Sequence, residues 1–101
     1  MFVMLVAAAM MVQADDPRSA YRSCLSDAVT SAKAGNVAVD NFKAYAHNTC
    51  AAIEEGFKSK LVSANVRNGM SRKAASEDAQ VQLDDYLYTY EEKYRYASQP
   101  Q

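Results

Sequence analysis

Two cysteines and one histidine have the side chains with the widest chemical repertoire in this chain. Cys24 and Cys50 are its only cysteines, and His47 is its only histidine. A metal site needs three or four ligands, so these residues make a poor zinc site. In an oxidising compartment the two cysteines would form one disulfide, and in a reduced cytosolic core they would stay buried thiols. The sequence favours the disulfide.

His47 is the residue to examine for catalysis. On a helical projection it falls away from the apolar stripe that contains Phe42 and Phe57, and no Asp or Glu stands three or four residues from it. The chain also lacks a nucleophile paired with a base and a Gly-rich phosphate loop. We therefore expect an exposed histidine, no cofactor and no enzymatic activity. The remaining alternative is an enzyme whose site is assembled from scattered residues.

The first fourteen residues, MFVMLVAAAMMVQA, predict the compartment. Phe2 to Val12 is an apolar run too short to span a bilayer as a helix, and it ends in Val12-Gln13-Ala14, with small residues where a signal peptidase cleaves. We predict a signal peptide over 1–14 and an exported protein, periplasmic or secreted, that begins at Asp15. Because no Lys or Arg precedes the run, a buried N-terminal helix is the alternative.

The rest of the chain, 15–101, is predicted to be a single helical domain. Both prolines and two of the three glycines fall at its predicted helix ends, with Pro17 in a first turn, Gly35 and Gly69 at stops, and Pro100 after the last helix. The expected helices cover about 17–34, 40–66 and 71–97. This pattern predicts an all-α fold, a small three-helix up-down-up bundle.

Each predicted helix has one apolar face at helical spacing. The faces are Tyr21, Cys24, Leu25, Ala28, Val29 and Ala32; then Val39, Phe42, Ala46, Thr49, Cys50, Ile53, Phe57, Leu61 and Ala64; then Ala75, Ala79, Leu83, Leu87, Tyr90 and Tyr94. From the second face we predict that Ile53→Ala and Phe57→Ala destabilise the protein far more than His47→Ala.

The two cysteines test this arrangement independently. If the first two helices form an antiparallel hairpin, Cys24 and Cys50 lie about thirteen residues on either side of its turn and meet at the same height. Both lie on apolar faces, so their Cα atoms would be within disulfide reach. Closing this loop would contribute roughly 3 to 4 kcal/mol in the chain-entropy model.

The last helix contains more tyrosines than a core stripe requires. Tyr88 and Tyr96 are each rotated by more than about 120° from Leu83, so they are expected to be exposed. With Arg95 they have the composition of a protein-binding face, although scattered exposed aromatic residues are also ordinary on protein surfaces. The expected partner is an unknown protein or a second copy of the chain.

Charge is nearly balanced, with eleven Lys and Arg against twelve Asp and Glu, which argues against a nucleic-acid-binding protein. Its distribution is uneven, because no acid lies between Glu55 and Glu77. The cations there form a predicted basic tip of Lys58, Lys60, Arg67, Arg72 and Lys73. Such a tip could contact an anionic membrane surface or a polyanion.

The sequence thus predicts a small exported helical protein that is not an enzyme and acts by protein–protein interaction. The alternative is an envelope-surface module that docks through its basic tip on anionic lipid or polyanion.

Overall fold

The structure, a computed structural model, describes residues 16–97. Its elements are α1 (Pro17–Ala34), a 3-10 turn (Val39–Asn41), α2 (Phe42–Thr49), α3 (Ala51–Arg67) and α4 (Arg72–Ala97). The described range contains no β-strand. The predicted signal peptide, residues 1–14, lies outside the described residues, as do Asp15 and 98–101.

Local sequence signals mark the starts of α1 and α4 and the end of α3. Asp16 accepts a hydrogen bond from the Arg18 amide at 3.0 Å, and Pro17 fills the first helical position of α1. Ser71 caps α4 by accepting from the Ala74 amide at 3.1 Å. Gly69, after the end of α3, has a φ of 106°, which favours a residue without a Cβ. The predicted bounds of the first and last helices therefore agree with the structure to within one residue.

The predicted single helix over 40–66 is wrong, because the structure divides it into α2 and α3 at Cys50. Cys50 has φ −105° and ψ 17°, outside the α-helical region, and Val39–Asn41 forms a 3-10 turn before α2 begins. The break shifts the phase of the helical face, so that Ile53 is 41% exposed and the neighbouring Glu54 only 5%. The prediction that Ile53 lies in the core is therefore wrong, as is the same prediction for Thr49, which is exposed.

The chain folds as the predicted all-helical bundle, with α2 and α3 together forming its second arm. α4 packs against α3 and also against α1 and α2. The core contains paired aromatic rings: Phe42 stacks on Tyr94 with ring centroids 4.8 Å apart, and the ring centroids of Tyr21 and Phe57 are 5.5 Å apart. The Tyr94 hydroxyl donates to the carbonyls of Ala32 and Val37, so the end of α4 is tied to the end of α1.

The predicted disulfide between Cys24 and Cys50 is confirmed. The Cα atoms of the two residues are 6.0 Å apart, within the range of protein disulfides. It joins the middle of α1 to the break between α2 and α3. Such a bond indicates an oxidising compartment outside the cytosol. No helix within residues 16–97 has both the length and the apolar character needed to cross a membrane.

Candidate functional site

A buried carboxylate lies where α1, α2 and α3 meet. Glu54, in the first turn of α3, accepts a hydrogen bond from the Tyr21 hydroxyl at 2.8 Å. Its other oxygen, Oε2, is 2.7 Å from Nδ1 of His47. The carboxylate also lies near the positive end of the α3 dipole. Glu54 is thus buried with both of its oxygens paired, which a buried carboxylate requires.

Tyr21 serves this cluster as a permanent hydrogen-bond donor. Burial of its hydroxyl is the main cause that raises the pKa of Tyr21 well above its ordinary value, and the bond to Glu54 and the negative charges of Glu54 and Asp84 raise it further. The hydroxyl consequently keeps its proton near neutral pH. Its contact in the cluster is the hydrogen bond that it donates to Glu54.

His47 is as exposed as expected, with 55% of its side chain accessible. Across the break at Cys50 it has an acidic partner seven residues along the chain, Glu54, which a search three or four residues away does not reach. An imidazole oriented by a carboxylate is a component of catalytic and metal sites. Within residues 16–97, however, no three His, Cys, Asp or Glu side chains are grouped closely enough to hold a metal ion. The contacts of Glu54 with His47 and Tyr21 therefore join α3 to α2 and α1.

A second candidate is the outer face of α4, which we define as Val81, Tyr88, Arg95 and Tyr96. Val81, Tyr88 and Tyr96 are 58%, 57% and 67% exposed, and together with Ile53 they are the exposed large hydrophobic residues of the described range. At about 100° per residue they lie on the side of α4 opposite its buried residues. Arg95 lies on the same side, where its Nε is 3.4 Å from a carboxylate oxygen of Glu92.

The residues of the predicted basic tip divide into two groups. Arg67, Arg72 and Lys73 are exposed on either side of the turn between α3 and α4. Lys58 and Lys60 lie further from this turn on α3, and Lys58 donates a hydrogen bond to the Gln80 side chain of α4 at 3.1 Å. In the described residues none of the five cations has a carboxylate within 4 Å.

Glu54 is the residue that sequence reasoning missed. Its partner Tyr21 is 33 positions away, so helical periodicity carries no signal for the contact. The only local indication was a carboxylate next to an apolar stripe.

Comparison with known proteins found no matching family model, no matching curated protein and no matching solved structure.

Proposed function

We propose that this chain is an exported, non-enzymatic protein that acts by protein–protein interaction through the outer face of α4. The observation that carries the proposal is the concentration of exposed apolar side chains on one side of one helix. Three of the four exposed large hydrophobic residues in 16–97 are on this face, and the fourth, Ile53, lies on α3. Exposed tyrosines beside an arginine are the residue types that contribute most to binding energy in protein interfaces.

The partner that fits this face is a second copy of the chain. Asp84 and Arg95 are eleven residues apart, so at about 100° per residue they project within about 20° of each other on α4. If two copies of α4 pair antiparallel across a two-fold axis, Asp84 of each copy lies opposite Arg95 of the other, on the same edge of the interface. Tyr88 and Glu92 then lie between the two ion pairs, where the tyrosine hydroxyl can donate to a carboxylate.

Sedimentation equilibrium of the oxidised domain tests the association. We expect a dimer that weakens in the Tyr88→Ala, Tyr96→Ala double variant, with the thermal midpoint of the monomer nearly unchanged because both side chains are exposed. Ile53→Ala is the matched control, since it removes an exposed apolar side chain from α3. A wild-type chain that stays monomeric at all concentrations and captures no protein from its native compartment would overturn the proposal.

A charge exchange tests the antiparallel geometry. Arg95→Glu and Asp84→Arg should each weaken the dimer, because each places like charges opposite one another. The Asp84→Arg, Arg95→Glu double variant should restore it, because the pairs are re-formed with reversed polarity. Absence of rescue, with the dimer intact in the wild type, would mean that the two copies pair in another register.

Export is tested separately by the intact mass of the protein recovered from its native compartment. We expect a chain that begins at Asp15 and contains the Cys24–Cys50 disulfide. A mass that includes residues 1–14, or two thiols open to alkylation, would contradict export.

The second candidate function is docking of the basic tip on anionic lipid or another polyanion. It is favoured by the exposed cations Arg67, Arg72 and Lys73 around one turn. Co-sedimentation with vesicles of anionic lipid, lost as salt rises and lost in the Arg72→Gln, Lys73→Gln variant, would support this candidate. An aromatic interface on α4 should respond much less to salt.

A further inference from the structure

A cleft between α1 and α4 lies to one side of the outer face. It has a volume of about 290 Å³, and α4 supplies most of its lining. The lining residues are Arg22 from α1 and Asp85, Tyr86, Thr89, Tyr90 and Lys93 from α4. A neighbouring depression of about 320 Å³ shares Arg22 and Tyr90 and adds Ser19, Ser23 and Ser26. The two together form a furrow with aromatic walls and several hydroxyl groups.

Two cations line the furrow. Within residues 16–97, neither Arg22 nor Lys93 has a carboxylate oxygen within 4 Å. The ammonium of Lys93 lies 4.6 Å from the ring centroid of Tyr90, which is itself 92% buried, so a cation–π contact favours this position of the side chain. An ammonium that already favours one position loses less conformational entropy when it binds a ligand, and a guanidinium presents paired donors to an oxyanion.

Asp85 makes the two ends of the furrow different in charge. It lies eight residues before Lys93 on α4, about 12 Å along the helix axis. Its carboxylate repels an anion from that end of the furrow and so favours binding near Lys93.

We propose that this furrow binds an oxyanion group, a phosphate or a carboxylate, between the guanidinium of Arg22 and the ammonium of Lys93. The hydroxyls of Ser23 and Thr89 supply further donors, and the rest of the ligand lies along Tyr86 and Tyr90. The site is independent of the proposed outer face of α4, because it uses none of the residues that define that face.

The test is an NMR titration of the isotope-labelled oxidised protein, with inorganic phosphate and with acetate in separate arms at constant ionic strength. We expect saturable shifts confined to the amides near Arg22 and near Thr89–Lys93. Tighter binding in the phosphate arm assigns a phosphate ligand, and tighter binding in the acetate arm assigns a carboxylate. A background of Tyr88→Ala, Tyr96→Ala keeps self-association out of the measurement.

Three variants and a control decide the assignment. Arg22→Gln and Lys93→Gln should each weaken binding by about fivefold to tenfold, as for loss of a charged hydrogen bond near the surface. Asp85→Asn should strengthen it, because a like charge is removed. Lys43→Gln, which removes an exposed cation from α2, should leave it unchanged. Equal weakening in all the cation variants, no effect in any of them, or no localised shift with either anion would overturn the proposal.

Discussion

The Nδ1 atom of His47 lies 2.7 Å from a carboxylate oxygen of Glu54, although the two residues belong to different helices and are separated by the break at Cys50. Through Tyr21 the same carboxylate is joined to α1. The buried side chain of Glu54 therefore connects α1, α2 and α3. The disulfide joins α1 to the break between α2 and α3, one helical turn before Glu54.

This contact reverses the order that the helical pattern predicts for the stability effects of His47→Ala and Ile53→Ala, and leaves Phe57→Ala as the most costly of the three. His47→Ala should lower the free energy of unfolding by about 1 kcal/mol, since Glu54 loses a hydrogen bond that water partly replaces. Ile53→Ala should cost no more than about 0.5 kcal/mol, as for other exposed side chains. Phe57→Ala should cost about 3 to 5 kcal/mol, because Phe57 is 97% buried. Urea unfolding of the three variants measures this order. A larger cost for Ile53→Ala than for His47→Ala would show that the contact between His47 and Glu54 does not stabilise the fold as expected.

Tyr21 should remain protonated until the protein unfolds in alkali. Its pKa is raised in the folded state by burial and by Glu54, so the folded chain holds this proton more tightly than the unfolded chain does. The associated stability is present below about pH 10, where an unfolded tyrosine is also protonated, and is lost as pH rises above that value.

Absorbance of tyrosinate measures this directly. The chain has seven tyrosines. Tyr21 should ionise only together with unfolding, so the Tyr21→Phe variant should show one tyrosine fewer in that late step. Tyr45→Phe is the control, since Tyr45 is only partly buried and bonds to the exposed side chain of Ser31. Smooth ionisation of all seven tyrosines in the folded protein would contradict the prediction.

Loss of the disulfide should destabilise the domain by roughly 3 to 4 kcal/mol, because it closes a loop with a sequence separation of 26. This is a large share of the stability that a domain of this size has. Denaturation of the Cys24→Ala, Cys50→Ala variant, compared with the oxidised protein, measures the difference. An unchanged denaturation midpoint would show that non-covalent contacts alone keep α1 packed against α2 and α3.

Tyr94→Phe isolates the hydrogen bonds that tie α4 to the end of α1. The ring remains stacked on Phe42, but the Val37 carbonyl loses its bond from the Tyr94 hydroxyl, and the Ala32 carbonyl keeps only its bond from the Val37 amide. We expect a loss of about 1 to 2 kcal/mol in thermal or urea unfolding. Tyr96→Phe should have no measurable effect, because Tyr96 is 67% exposed.

The helical class, the ends of α1 and α4 and the cysteine pairing were predicted from the sequence, because each depends on local signals. Asp16, Pro17 and Ser71 act on their own helices, and the cysteines are nearly symmetric about a turn marked by Gly35 and Asn36. The exposure of Tyr88 and Tyr96 followed from the same periodicity, since α4 is one uninterrupted helix.

Tertiary structure alone decided the break at Cys50, the burial of Glu54 and the exposure of Ile53. A carboxylate is buried in a core only where other groups supply hydrogen bonds or charge to its oxygens. For Glu54 these groups come from α1 and α2. Helical periodicity extended through Cys50 places Ile53 inside, because it contains no information about Tyr21, which lies 33 residues away. The furrow of Arg22 and Lys93 has the same origin, because it exists only where two helices distant in sequence lie side by side.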